Sequence, residues 1–136
     1  SDGQYADFQA TNGGIARTQT AGTLHMEGRE VLRHAVANMC DAVTHSAQAA
    51  NLDMQDIDWL IPHQANARIL QSCAKKLQLS QDKLVMTVNK HANTSSASIP
   101  LALAHAADAG TIKQGQHLML TALGAGFTWG SCLIRY

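Results

Sequence analysis

Two short stretches carry residue types that could do chemistry, Pro62-His63-Gln64-Ala65-Asn66 and His91-Ala92-Asn93-Thr94-Ser95. The loop Gly124-Ala125-Gly126-Phe127-Thr128-Trp129-Gly130 completes the set. A neutral imidazole N–H and a carboxamide NH2 aimed at one point can hold an oxygen on which negative charge develops. Each stretch falls where a predicted strand runs out, which is where α/β folds bind ligands. No nucleophile accompanies them. Cys40 and Cys73 sit on predicted helical faces and Cys132 in the last predicted strand, so each reads as a small apolar core residue. A reactive thiol needs a thiolate-favouring site such as a helix N-terminus, and none of the three has one. The set reads as half of an active site.

These groups must be held by the elements around them. Residues 1–23, with Gly3, Gly13, Gly14 and Gly22 among Thr, Gln and Ala, read as a loop or crossing segment leading into a domain over 24–136. A first helix is predicted from about Glu27 to Ala50, with Leu32, Val36, Met39, Val43 and Ala47 marking its apolar face. Asp58–Ile61 reads as a short buried strand, and a second helix follows from about Ala65 to Leu77 with Ile69, Cys73 and Leu77 aligned. Leu84–Val88 reads as the next strand. The third helix, about Ser95 to Ala109, is apolar nearly all round, a pattern that calls for protein on several sides. His117–Leu123 and Thr128–Arg135 flank the Gly-rich loop as an antiparallel hairpin. The order is αβαβαββ.

Composition narrows the classes. The chain has 136 residues, 46% hydrophobic and 15% charged, enough for one globular domain with a real core. Ten basic residues balance ten acidic ones, which argues against a general nucleic-acid or membrane-surface binder. Three scattered cysteines without C-x-x-C spacing fit neither a disulfide framework nor a zinc knuckle, and they suit a reducing, cytoplasmic setting. No apolar run approaches the ~20 residues of a membrane span. His25, His34, His45, His105 and His117 show no ligand spacing, so no metal is read. The opening, without Met, reads as that of a fragment or processed piece, or of a chain whose start has been removed.

The motifs Asp58-Trp59-Leu60-Ile61-Pro62-His63-Gln64-Ala65-Asn66, Asn93-Thr94-Ser95 and Gly126-Phe127-Thr128-Trp129-Gly130-Ser131 stand in one order and spacing. Together they resemble the C-terminal half of the thiolase-fold condensing enzymes, and most nearly the 3-oxoacyl-[acyl-carrier-protein] synthase III family. The resemblance covers about Leu24 to Tyr136 and, more loosely, Ser1-Asp2-Gly3. It implies an α/β thiolase-like half, with a five-stranded mixed sheet and helices on both faces. It also implies an N-terminal half of the same plan that holds the nucleophilic cysteine, and a homodimer of the complete enzyme.

In such enzymes the cysteine takes an acyl group from coenzyme A, and the enolate formed by decarboxylation of malonyl-ACP attacks it. The resemblance makes His63 and Asn93 the donors to the malonyl thioester carbonyl, where charge appears only as CO2 leaves. It gives the backbone N–H of Ala125 to a second oxyanion hole. Ala stands there in place of the family's usual Gly, keeping the N–H with less freedom at positive φ. Gln64, Asn66, Arg68 and Gly28 correspond to the entrance used by the carrier protein and the pantetheine of coenzyme A, although Arg29 replaces a usual Asn. Acyl-CoA and malonyl-ACP are implied as substrates, with no permanently bound cofactor. Alone, the chain is expected not to condense anything, and to self-associate through the apolar surface of its third helix.

Other readings of the same residues stay open. His63 alone could be a satisfied histidine at a strand end. Asn93 could cap the third helix, although Thr94 or Ser95 can serve that purpose. His91 reads as structural or exposed. Gly124 and Gly126 could be plain hairpin residues, and they form no dinucleotide fingerprint because Trp129 occupies the place of the third Gly. Arg29, Arg33 and Arg68 could lie on an ordinary solvated face. An acyltransferase of the same fold that makes esters or amides would fit His63 and Asn93 too, as would a non-catalytic module that binds carrier protein.

Overall fold

The sheet is built from three strands, β3 (Trp59–Pro62), β4 (His117–Gly124) and β5 (Thr128–Arg135). In the computed structural model, which describes residues 1–16 and 18–136, β3 runs parallel to β4 and β5 returns antiparallel to β4. Arg17, inside the expected lead-in segment, lies outside the described residues. Side chains alternate across a strand, so the register sends Leu60, Met119 and Leu133 to one face and Ile61, Leu118 and Ile134 to the other.

Helices cover both faces. On the first, α1 (Gly28–Ala49) packs across β4 and β5 and against α2 (Ala67–Lys76). Buried Val31, Ala35, Met39, Cys40, Val43 and Ala47 form its stripe. Leu32 and Val36, expected at its centre, lie half-buried at its margin. Asn66 caps α2, its Oδ1 accepting from the Ile69 N–H at 3.0 Å, while Lys75 and Lys76 complement the negative C-terminal end. On the second face, α4 (Ser98–Asp108) packs over β3 through Ala102 and Ala106.

Four expectations are corrected. Residues 1–23 are not all loop: β1 (Gln9–Thr11) pairs antiparallel with β2 (Leu24–Met26) as a separate ribbon. Leu84–Val88 is no full strand. It makes one parallel bridge, Leu84 beside Leu60, and then turns into the short helix α3 (Val88–His91). The described strands therefore form a three-stranded mixed sheet and a two-stranded ribbon rather than one five-stranded sheet. The third helix leaves apolar surface open, in line with the surface expected of it: Ser98, Ala102 and Ala106 are buried, Ile99 and Leu103 are half-covered, and Leu101 is 37% exposed. α4 packs on β3 rather than on β5, and Cys132, expected in the core, is exposed beside Ile99 and Leu120 in an apolar groove. No helix among the described residues is long and apolar enough to cross a membrane.

Candidate active site

His63 sits one residue past β3, where the sheet still grips its backbone. Its N–H donates to the Thr121 carbonyl at 2.7 Å, and its own carbonyl accepts from the Ala65 N–H at 2.8 Å. The ring is fixed from the second face, with Nδ1 2.6 Å from the Oγ of Ser98 in the first turn of α4. Ser98 is 2% exposed, and its Oγ also accepts from the Gln64 N–H at 3.2 Å. Burial pushes the imidazole pKa down from its ordinary value, which favours the neutral ring.

Asn93 is held by an unusual stretch of backbone. Ala92 has φ 57° and ψ −160°, and Ser95 has φ 54°. The Asn93 Oδ1 accepts from the Ser95 N–H at 3.0 Å, which engages one lone pair of its carbonyl, and its NH2 has no partner among the described residues and is free to donate to a ligand. Thr94 and Ser95, expected as possible caps, make no side-chain cap, and the Thr94 Oγ1 is buried without a partner among the described residues. His91 is exposed, its ring edge-on to His105 at 6.4 Å between centroids.

His63 and Asn93 line one cleft of about 140 Å³. His63, Asn93, Asn66 and Gly28 contribute to its walls, and Met26, Val31, Ala35, Met39, Ile69 and Leu123 make the rest largely apolar. Gly28 and Asn66 also border an outer groove with Arg29, Leu32, Ala67 and Arg68, so cleft and groove adjoin. Arg33 is tied to Glu30 at 2.7 Å, whereas Arg29 and Arg68 have no carboxylate partner among the described residues. The result is a largely apolar cleft that His63 and Asn93 both line, beside a groove edged by two arginines.

Two expected site residues stand apart from the cleft. Gln64 is 1% exposed, and its side chain makes four hydrogen bonds to backbone groups of Pro62, Val85, Thr87 and Val88. It is a buried clamp rather than part of the entrance, because a saturated carboxamide has nothing left to offer. Ala125 lies exposed in the β4–β5 turn and borders neither the cleft nor the groove. The positive φ of this turn falls on Gly126, at 133°, and not on Ala125, so Ala fits its position without the strain its methyl would bring there.

The turn is anchored by residues that the sequence motifs include without a role. Phe127 is fully buried against Tyr5, Phe8 and His34, with ring centroids 5.9, 6.2 and 5.7 Å away. Asp2 and Phe127 exchange both backbone hydrogen bonds, at 2.8 and 2.7 Å. Ser98 was legible only as a polar residue at i, i+4 and i+8 with Ala102 and Ala106, a place on a buried stripe that demands a partner. The cysteines are free thiols outside the cleft, and a side-chain hydrogen bond with Cys40, together with burial, holds the Cys73 thiol protonated, far above the ordinary thiol range. Among the described residues no three His, Cys, Asp or Glu side chains gather as a metal-binding group.

Comparison with known proteins gives this geometry a context. The family described as "3-Oxoacyl-[acyl-carrier-protein (ACP)] synthase III C terminal" matches residues 47–136. Beta-ketoacyl-[acyl-carrier-protein] synthase III of Paramagnetospirillum magneticum is 56% identical over 135 residues, covering 99% of this chain and 42% of the relative. The protein of the same description from Bartonella tribocorum is 53% identical over 136 residues, covering 100% of this chain and again 42% of the relative. Among solved structures, 3-oxoacyl-(acyl carrier protein) synthase III from Pseudomonas aeruginosa superposes with a TM-score of 0.93 at 38% identity, over 100% of this chain and 42% of that one. The chain thus spans less than half the length of the relatives it matches.

Proposed function

The chain belongs to the 3-oxoacyl-[acyl-carrier-protein] synthase III C-terminal family, and from that premise we propose that it supplies the oxyanion-binding half of a decarboxylating condensing site. The substrates are an acyl-CoA and malonyl-ACP, and the upstream half supplies the cysteine that carries the acyl group. The complete enzyme is a homodimer that initiates fatty-acid synthesis, with no permanently bound cofactor.

The observation that carries this reading is the pairing of His63 and Asn93 on one cleft, each with its other polar atom already engaged. A malonyl thioester seated there places its carbonyl oxygen between an imidazole N–H and a carboxamide NH2. As the bond to the carboxylate breaks, CO2 departs and the electron pair moves into the enolate, whose oxygen becomes negative. Both donors bind that oxygen more strongly than the neutral carbonyl, so they lower the barrier rather than merely hold substrate. The enolate carbon then attacks the acyl-cysteine carbonyl, forming the carbon–carbon bond and releasing the thiolate. The Ala125 N–H, which stands outside this cleft, belongs to the oxyanion hole that the upstream half completes for this second step.

An apolar cleft suits the chemistry, since hydrogen bonds to a developing charge strengthen where water is excluded. Arg68 and Arg29 line the approach and attract the acidic carrier protein, and Asn66 and Gly28 flank the path of the pantetheine arm. The exposed apolar side of α4 faces the upstream half. The test is the mass of the product formed from acyl-CoA and malonyl-ACP when the chain is combined with that half. A chain-extended 3-oxoacyl-ACP supports the reading, and an ester, an amide or no product refutes it.

A further inference from the structure

The cleft shows what His63 lines, but the ring has two nitrogens, and which one carries the proton decides whether it can donate at all. We infer that the Ser98 hydroxyl locks His63 in the tautomer with a bare Nδ1 and a protonated Nε2, so that the nitrogen not engaged by Ser98 is the donor. This rests on the condensing-site reading for its consequence, though not for its evidence.

Counting hydrogens at Ser98 decides between the tautomers. The Ser98 Oγ has one hydrogen to give and two lone pairs to receive. One lone pair takes the Gln64 N–H at 3.2 Å. The other bond is to His63 Nδ1 at 2.6 Å, and no further partner of this oxygen exists among the described residues. If Nδ1 carried the proton, the oxygen would accept twice and its own hydrogen would point into a site that is 2% exposed, with nothing to receive it. If the hydroxyl donates to a bare Nδ1, every hydrogen is used. The second arrangement wins, because a buried unpaired donor is the more costly fault.

Two further observations agree. The Gln64 N–H orients the oxygen, and Gln64 is itself fixed by its four backbone bonds, so the relay has a rigid base. An imidazolium would carry hydrogens on both nitrogens and orphan the hydroxyl in the same way, so Ser98 and burial favour the same neutral ring. Ser98 is therefore a positioning residue. It touches no reacting atom, and it acts by choosing which nitrogen of His63 donates.

The experiment is a long-range proton–nitrogen NMR correlation on the chain labelled with 15N-histidine at neutral pH, with His63 assigned by its loss in His63→Gln. The expected spectrum shows one tautomer, Nδ1 in the unprotonated range and Nε2 in the protonated range. Ser98→Thr, which keeps the hydroxyl, retains that pattern, while Ser98→Ala shifts Nδ1 toward the protonated range as the tautomers mix. A protonated Nδ1 in the unaltered chain overturns the inference, and so does an Nδ1 unmoved by Ser98→Ala. If Ser98→Ala fails to fold, the unaltered chain and Ser98→Thr still decide it. Turnover that survives His63→Ala would instead sink the condensing-site reading and leave the tautomer as assigned.

Discussion

The Oε1 of Gln64 accepts the backbone N–H of Thr87 at 2.7 Å, and the same oxygen takes the Val88 N–H at 3.1 Å. One side chain thereby ends the sheet edge beyond Val85 and turns the chain into the segment that carries Asn93. The Nε2 closes the clamp on the carbonyls of Pro62 and Val85, at 2.8 and 3.2 Å. His63 and Asn93 come from segments 30 residues apart in number, and Gln64 ties the two together.

Gln64→Leu keeps much of the volume and leaves those four backbone groups unpaired in the interior. With each orphaned group costing about 1–3 kcal/mol, a loss of at least about 2 kcal/mol is expected. Urea denaturation of the variant checks it, and an unchanged midpoint would mean that the clamp holds nothing.

Ala92 occupies a backbone region that glycine tolerates and other residues do not, with φ 57° and ψ −160°. Ala92→Gly relieves that strain against a smaller loss of unfolded-state restriction, and a gain of about 1 kcal/mol is expected. The measurement is the same denaturation midpoint, and a fall in stability would contradict the assignment of strain to this residue.

Burial lowers the His63 pKa below its ordinary value of 6.5. As pH falls through 6.5 the unfolded chain takes up this proton before the native one does. The stability due to a neutral His63 is therefore complete above that pH and declines as pH drops toward the native pKa. An NMR titration should find the His63 midpoint below 6.5, and a midpoint above it would reverse the sign of the argument.

How far the site was legible in sequence depends on how local its causes are. The α1 helix and the β4–β5 hairpin follow from periodicity within their own residues, and both lie within a residue or two of expectation. Leu84–Val88 has the apolar, β-branched composition of a strand, but its fate is decided by Gln64, some 20 positions earlier. The β1–β2 ribbon depends on pairing across an intervening Gly-rich stretch. His63, Asn66 and Asn93 stood out because polar residues at strand ends invite a chemical explanation. Ser98 and Asp2 did not, because a serine in an apolar helix and an aspartate near a terminus acquire meaning only from what packs against them.

Arg68 is exposed on α2 at the outer groove, with no carboxylate partner among the described residues. Arg68→Glu should weaken binding of the acidic carrier protein roughly tenfold at low ionic strength, and less as salt screens the approach. The helix should not suffer, since a glutamate near its N-terminus suits the dipole. Unchanged affinity at low salt would remove Arg68 from the docking surface.

The central claim is that His63 donates to the oxygen that becomes negative as CO2 leaves. The most direct measurement is the rate of CO2 release from malonyl-ACP by the chain combined with its upstream half, compared with the same mixture carrying His63→Ala. Release is expected from the mixture and not from the chain alone, with a fall of about 10²–10³ in the variant, the usual cost of one oxyanion donor. Release that continues undiminished in a folded His63→Ala mixture would contradict it.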